Sequence, residues 1–136
     1  MIAVKRDEHD GVLTGALAEI LAHLRCHSTY GGVAEGVEKA LHGAADDFVE
    51  KLAGHLRHEE EVLFPAIRKS APESAPEISR LEEEHRLLRI YATELAHRIK
   101  AQDKEGAYEV ARDFLAALFD HIERERHAVD ARLPGG

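Results

Sequence analysis

The stretch His55-Leu56-Arg57-His58-Glu59-Glu60-Glu61-Val62-Leu63-Phe64-Pro65 decides how the rest of the chain reads. His55 and Glu59 are four residues apart, and on an α-helix that spacing places both on one face. Leu41, Ala45, Phe48 and Leu52 lead up to the pair at three- and four-residue intervals, and Val62 continues the stripe. An imidazole and a carboxylate thus share the face that turns to the core. A carboxylate there is costly unless its charge is compensated. Pro65 has no amide hydrogen to donate, which predicts a kink or an early helix end near Leu63 or Phe64.

The same device recurs near the other end of the chain. His121 and Glu125 stand four apart on a stripe with Ala107, Ala111, Phe114, Leu118 and Ile122. Between the two pairs, His85 lies on the stripe Ile78, Leu81, Leu88, Ala92, Leu95 and Ile99. His9 precedes Val12, Leu13, Ala16, Leu17, Ile20 and Leu24. Each pattern predicts an amphipathic helix, over about 7–27, 33–69, 76–101 and 104–133. Asp7 can cap the first of these, and Gly31-Gly32 breaks the chain after it. The stretch from Ser70 to Pro76 reads as a loop, a tight connection falls around Asp103, and Pro134-Gly135-Gly136 stops the last helix. No segment alternates with the period of a strand. Short connections make consecutive helices antiparallel neighbours. The expectation is an all-α chain, a single antiparallel up-down-up-down four-helix bundle forming one domain over residues 1–136.

Counting along the helices tests whether the four histidines meet. His9 and His55 each lie about eighteen residues from the first turn, and His85 and His121 about seventeen from the third. Glu59 lies about ten residues before the Ser70 loop, and His85 nine after Pro76. At a rise of about 1.5 Å per residue, all three hairpins return the chain to one level within about a turn. The helix ends come from glycines, prolines and apolar period, so the alignment of the histidines is independent of them.

Composition narrows the partners. Eighteen basic against 26 acidic residues give a net charge of -8, aromatic residues are 5% and tryptophan is absent. A nucleic-acid partner would select a basic face and stacking platforms, and an anionic membrane would repel this chain. No apolar run approaches a membrane span, and Met1 to Asp7 is too short and polar for a secretory signal. The single cysteine, Cys26, cannot form an internal disulfide, in keeping with a reducing compartment. A cytoplasmic protein is the default expectation; the oligomeric state is left open.

His9, His55, Glu59, His85, His121 and Glu125 are therefore the candidate metal ligands. Imidazole and carboxylate suit iron, manganese or zinc, and a cluster without thiolate argues against an iron–sulfur centre. Six candidates exceed the four of a tetrahedral zinc and suit two six-coordinate ions. Glu59 or Glu125 would bridge them and the histidines would cap them. The alternative is a metal-free bundle in which these polar groups satisfy one another, which requires nearly every donor to find a partner.

Over nearly its whole length the chain resembles the hemerythrin-like, or HHE cation-binding, domain family. The residues that carry the resemblance are His9, the run His55 to Pro65, Glu84-His85, and His121-Ile122-Glu123-Arg124-Glu125. The resemblance implies a non-haem centre of two iron ions with oxo or hydroxo bridging, His9, His55, His85 and His121 as terminal ligands, and Glu59 and Glu125 as bridges. The roles it implies are oxygen transport or storage, oxygen, redox or iron sensing, and peroxide or nitric oxide chemistry, with a small diatomic or peroxide molecule as ligand. Turnover, and binding or iron storage without turnover, both remain open.

Two positions depart from the oxygen carriers of that family. Their additional third-helix histidine is Arg89 here, and their fourth-helix aspartate is Arg126. The set is thus a ligand short, which favours peroxide reactivity or sensing; Glu8, His58 and Glu84 are the candidate substitutes. Arg89 would offer a cation to a bound anion or extend to solvent. Glu82-x-x-His85 also resembles the element of ferritin-like bundles, but Leu52 and Leu118 stand where its repeats would need glutamate. His42, His97 and His127 turn off the ligand faces and read as surface. His23 and His27, near Cys26, read as a polar helix end, and Glu82-Glu83-Glu84 as a solvated helix start.

Overall fold

Three- and four-residue apolar spacing is realised as four helical rods. The computed structural model describes the backbone of residues 2–30 and 35–129 and the side chains of residues 11–25 and 39–129. The first rod is α1 (Ile2–Tyr30). The second is α2 (Glu35–His58), continued by a π-helical turn (Glu59–Leu63) into α3 (Phe64–Ser70). A 3₁₀ turn (Pro72–Ser74) leads to the third rod, α4 (Ala75–Lys100), and the fourth is α5 (Lys104–Val129). There is no strand among the described residues. The rods form a ring in which α1 and α4 each pack against both α2 and α5, the antiparallel up-down-up-down bundle expected. The Gly31-Gly32 break and the Pro134-Gly135-Gly136 stop lie outside the described residues.

Pro65 neither ends nor breaks its helix. The backbone N–H of Phe64 donates to the carbonyl of Glu59, five residues back. This wider turn makes room for a ring that would press on the preceding turn of a regular helix. It also inserts one residue into the apolar period. The stripe expected to continue at Val62 moves on to Leu63, Phe64 and Ile67, which are buried, while Val62 is exposed. Val12, placed on the inward stripe of α1, is likewise exposed; Leu13 and Leu17 fill the core there.

The Ser70–Pro76 stretch is tighter than a loop. Ala71 alone is non-helical, because Pro72 and Pro76 sit in the first turns of the 3₁₀ segment and of α4. A proline costs least there, since its missing hydrogen has no acceptor to serve. Buried Ser74 closes the corner with its hydroxyl donating to the carbonyl of Ala71 at 2.6 Å. At the next corner Gln102 takes φ 60. Asp103 then starts α5, accepting from the Gly106 N–H at 3.0 Å and from Arg98 Nη1 at 2.7 Å. A side chain at position 106 would collide with both Asp103 and Arg98, so glycine keeps that clamp possible.

The interior has two apolar clusters. The larger, with Leu17, Phe48, Leu56, Leu88, Phe114 and Leu118, runs through α1, α2, α4 and α5. The smaller joins Leu63, Phe64, Ile67, Ile78, Leu81, Ala128 and Val129. Between them, in the order of every helix described at that level, lie Glu59, His85, His121 and Glu125. A polar layer therefore crosses a bundle that is apolar on either side of it.

Candidate metal centre

Glu59, His85, His121 and Glu125 are 1%, 0%, 3% and 2% exposed, and each offers a ligand atom within 4.8 Å of all the others. They come from three rods: Glu59 from the π turn, His85 from α4, and His121 and Glu125 from α5. Glu59 Oε1 lies 3.2 Å from His85 Nε2 and Glu125 Oε2 lies 3.1 Å from His121 Nε2. The two Nε2 atoms are 3.2 Å apart, with the rings at 63°. Phe64 packs on the His85 ring from the side of the smaller apolar cluster, with ring centres 5.3 Å apart.

The outer nitrogens are held by two carboxylates absent from the expected ligand set. His85 Nδ1–H donates to Glu60 Oε2 at 2.7 Å, and His121 Nδ1–H donates to Glu84 Oε1 at 2.8 Å. Glu60 is gripped through both oxygens by the Arg89 guanidinium, at 2.8 and 2.9 Å, and Glu84 receives Arg124 Nε at 2.6 Å. These contacts assign each ring's outer hydrogen to Nδ1, so Nε2 is the atom each imidazole presents inward.

Charge follows from this geometry. Burial and the neighbouring His121 hold His85 below the ordinary histidine range, against the pull of Glu60 and Glu125. For His121 burial acts downward too, but its hydrogen bonds and charge interactions with Glu125 and Glu84 outweigh it and raise it above that range. In the metal-free protein the inward Nε2 of His121 is thus the more readily protonated of the two, and His85 Nε2 faces Glu59. The Arg89 hydrogen bond keeps the Glu60 carboxyl below its usual range in spite of burial.

Of the six ligands expected, the structure brings these four together. His55 is half-buried beside them, its Nε2 3.6 Å from Glu59 Oε2, and so adjoins the group on the α2 side. His9 is on α1, and its side chain lies outside the described residues, as do those of Glu8, Cys26 and His27. Of the other proposed substitutes, His58 is exposed and Glu84 is committed to His121 and Arg124. Arg89 neither awaits an anion nor extends freely to water; it holds Glu60. The acidic run on α4 is not simply solvated either, since Glu82 pairs with Arg68 and Glu84 with His121 and Arg124. His97, His127 and His23 are exposed, whereas His42 is half-buried. Glu60 escaped the sequence reading because it is one residue off the ligand face; the legible signal was Pro65, which forces the wide turn.

Two buried carboxylates and two imidazoles aimed at one point are a donor set for a hard or borderline cation, and the carboxylate–imidazole arms behind them are the usual support of metal-bound histidine. The sequence profile of the hemerythrin HHE cation binding domain matches residues 6–131. The chain belongs to that family. Comparison of this HHE domain with curated proteins and with solved structures returned no match. No helix among the described residues is long and apolar enough to cross a membrane.

Proposed function

We propose that this HHE domain carries a non-haem di-iron centre that binds a small diatomic or peroxide molecule. His9, His55, His85 and His121 would hold the ions from the sides and Glu59 and Glu125 would bridge them. The observation that carries the reading is the inward convergence of two Nε2 lone-pair sites on two buried carboxylates, with both Nδ1 hydrogens already committed outward. A cation at that point would engage all four groups at once. Such a centre, when bound, supplies electrons to oxygen, peroxide or nitric oxide.

The chain's own part is to fix the donors and exclude water. The larger apolar cluster closes the layer on one side through Leu56, Leu88, Leu118 and Ile122. Phe64, Leu63 and Leu81 close it on the other. His121 and Glu125 would hold the cation side by side, since Glu125 Oε2 lies 3.1 Å from His121 Nε2, and any proton on that nitrogen would have to leave for a cation to bind there.

One observation favours occupancy without turnover as the second reading. Glu60 and Glu84, the carboxylates behind the layer, are both engaged by an imidazole and a guanidinium, and neither is placed to deliver a proton into the layer. Sensing of iron or oxygen, or iron storage, needs no such donor. The test is iron per chain in aerobically purified protein, with ultraviolet–visible spectra before and after peroxide. About two irons and charge-transfer bands that change with peroxide support reaction at the centre, and bands indifferent to peroxide support binding alone. No iron, or one tightly held zinc, removes the proposal.

A further inference from the structure

Glu60 and Glu84 form the same construction twice. In each, an arginine grips a carboxylate, the carboxylate accepts the Nδ1 hydrogen of an imidazole, and that imidazole presents Nε2 to the buried layer. The partners come from different helices. Glu60 of the π turn reaches His85 and Arg89 on α4, and Glu84 of α4 reaches His121 and Arg124 on α5. Each arm thus ties two rods together at the height of the layer. The wide turn has a specific effect on the first of them. It lets consecutive residues, Glu59 and Glu60, address the two nitrogens of one ring, at 3.2 Å on Nε2 and 2.7 Å on Nδ1.

We infer that Glu60 and Glu84 are positioning residues for the cation. Each fixes one ligand imidazole in the tautomer and orientation that face the site, and Arg89 and Arg124 hold the carboxylates in place. A carboxylate behind an imidazole raises its donor strength. A guanidinium behind that carboxylate cancels the added negative charge, so the arms strengthen the donors while the net charge at the layer stays that of Glu59 and Glu125. Arg89, bonded through two parallel N–H groups, is the more exacting of the two, and lysine cannot reproduce that fork.

This inference rests on the proposed metal site, and the experiment separates the two. The full chain is loaded with cobalt(II), which occupies histidine and carboxylate sites and shifts the proton signals of bound imidazoles. Two quantities are read: the rate of cobalt release to excess chelator, and the exchangeable Nδ1–H signals of the ligand histidines. Wild-type protein that takes up no cobalt removes the metal site itself. If the wild type binds, Glu60→Ala is expected to lose or broaden the His85 Nδ1–H signal alone, and Glu84→Ala that of His121 alone. Each should release cobalt about 10- to 100-fold faster. Glu60→Gln keeps an acceptor oxygen without the charge and is expected to fall between wild type and Glu60→Ala, which also covers the case in which the alanine variant fails to fold. Arg89→Lys should accelerate release while leaving helix content unchanged. Release rates within twofold of wild type in Glu60→Gln and Glu84→Gln, with both Nδ1–H signals intact in the alanine variants, would overturn the assignment while leaving the metal site standing.

Discussion

Glu59→Gln should make the metal-free protein more stable and the metal-loaded protein less so. Glu59 and Glu125 are almost completely buried, with ligand atoms within 4.8 Å. At that separation two unit charges repel by about 3 kcal/mol at an effective dielectric of about 20. Glu125 sits beside the raised His121, whereas Glu59 faces the lone pair of the lowered His85 Nε2 and lies 3.6 Å from His55 Nε2. Glutamine preserves the shape, removes one buried charge and turns an amide hydrogen toward that lone pair. Part of that repulsion is already offset by the neighbouring imidazoles, so a gain of about 1–3 kcal/mol is expected. For 136 residues the unfolding entropy is about 0.29 kcal/mol per kelvin, so Tm should rise by about 3–10 °C in chelator. With metal at a thousand times its Kd the wild type gains about 4.1 kcal/mol that the variant largely forgoes, and the order of stability inverts. Thermal melts followed by far-ultraviolet circular dichroism, with chelator and with added iron(II) or zinc(II), measure both arms. A variant that melts at or below the wild type in chelator would refute the account of Glu59 as a charge held for a cation.

Metal loading should release protons, because the raised His121 must give up its hydrogen. Calorimetric titration in buffers of different ionisation enthalpy should show that release, and apparent affinity should fall as pH drops through the raised His121 range. Phe114→Ala, which removes a fully buried ring packed edge-on to Phe48 at 5.5 Å, should cost about 3–5 kcal/mol by chemical denaturation without moving the metal stoichiometry. Gly43→Ala and Gly54→Ala, at helical positions with open space around a new methyl group, should each add about 0.5–1 kcal/mol. Gly106→Ala should show no such gain because it displaces the Asp103 cap. His97→Ala should leave iron content unchanged, and its loss would mean that the helix-face reading is wrong.

The four rods were legible because a soluble bundle must place apolar residues at three- and four-residue intervals, and little competes with that signal here. Helix ends were less so. Pro72 reads as part of a loop that ends at Pro76, where the third helix is expected to start, yet proline is also at home in the first turn of a helix, and both occupy such turns. Val62 was misplaced for a related reason. Counting at a fixed period cannot register an inserted residue, and the π turn inserts one between Glu59 and Leu63. Glu59, His85, His121 and Glu125 could be picked out because polar groups on an apolar stripe are anomalous. Glu60 and Glu84 sit just off the stripe, where glutamate is unremarkable, so Glu84 reads only as a substitute ligand and Glu60 not at all, and their partners are supplied by neighbouring helices. Which surface carboxylate meets which imidazole depends on helix rotation and separation, and those quantities leave no mark in a single chain's spacing.

The polar layer lying between two apolar clusters has a consequence for traffic. Along the bundle axis the described residues pack closely on both sides of the layer, Leu56, Leu88 and Leu118 on one side and Leu63, Phe64 and Leu81 on the other. At this level Glu60, Glu84 and His55 reach water with 27%, 18% and 13% of their side-chain surface, beside the more exposed Arg89 and Arg124. Among the described residues, the way a cation would reach this layer is through the flank of the bundle, past the carboxylates that hold the imidazoles and the arginines, Arg89 and Arg124, that hold those carboxylates.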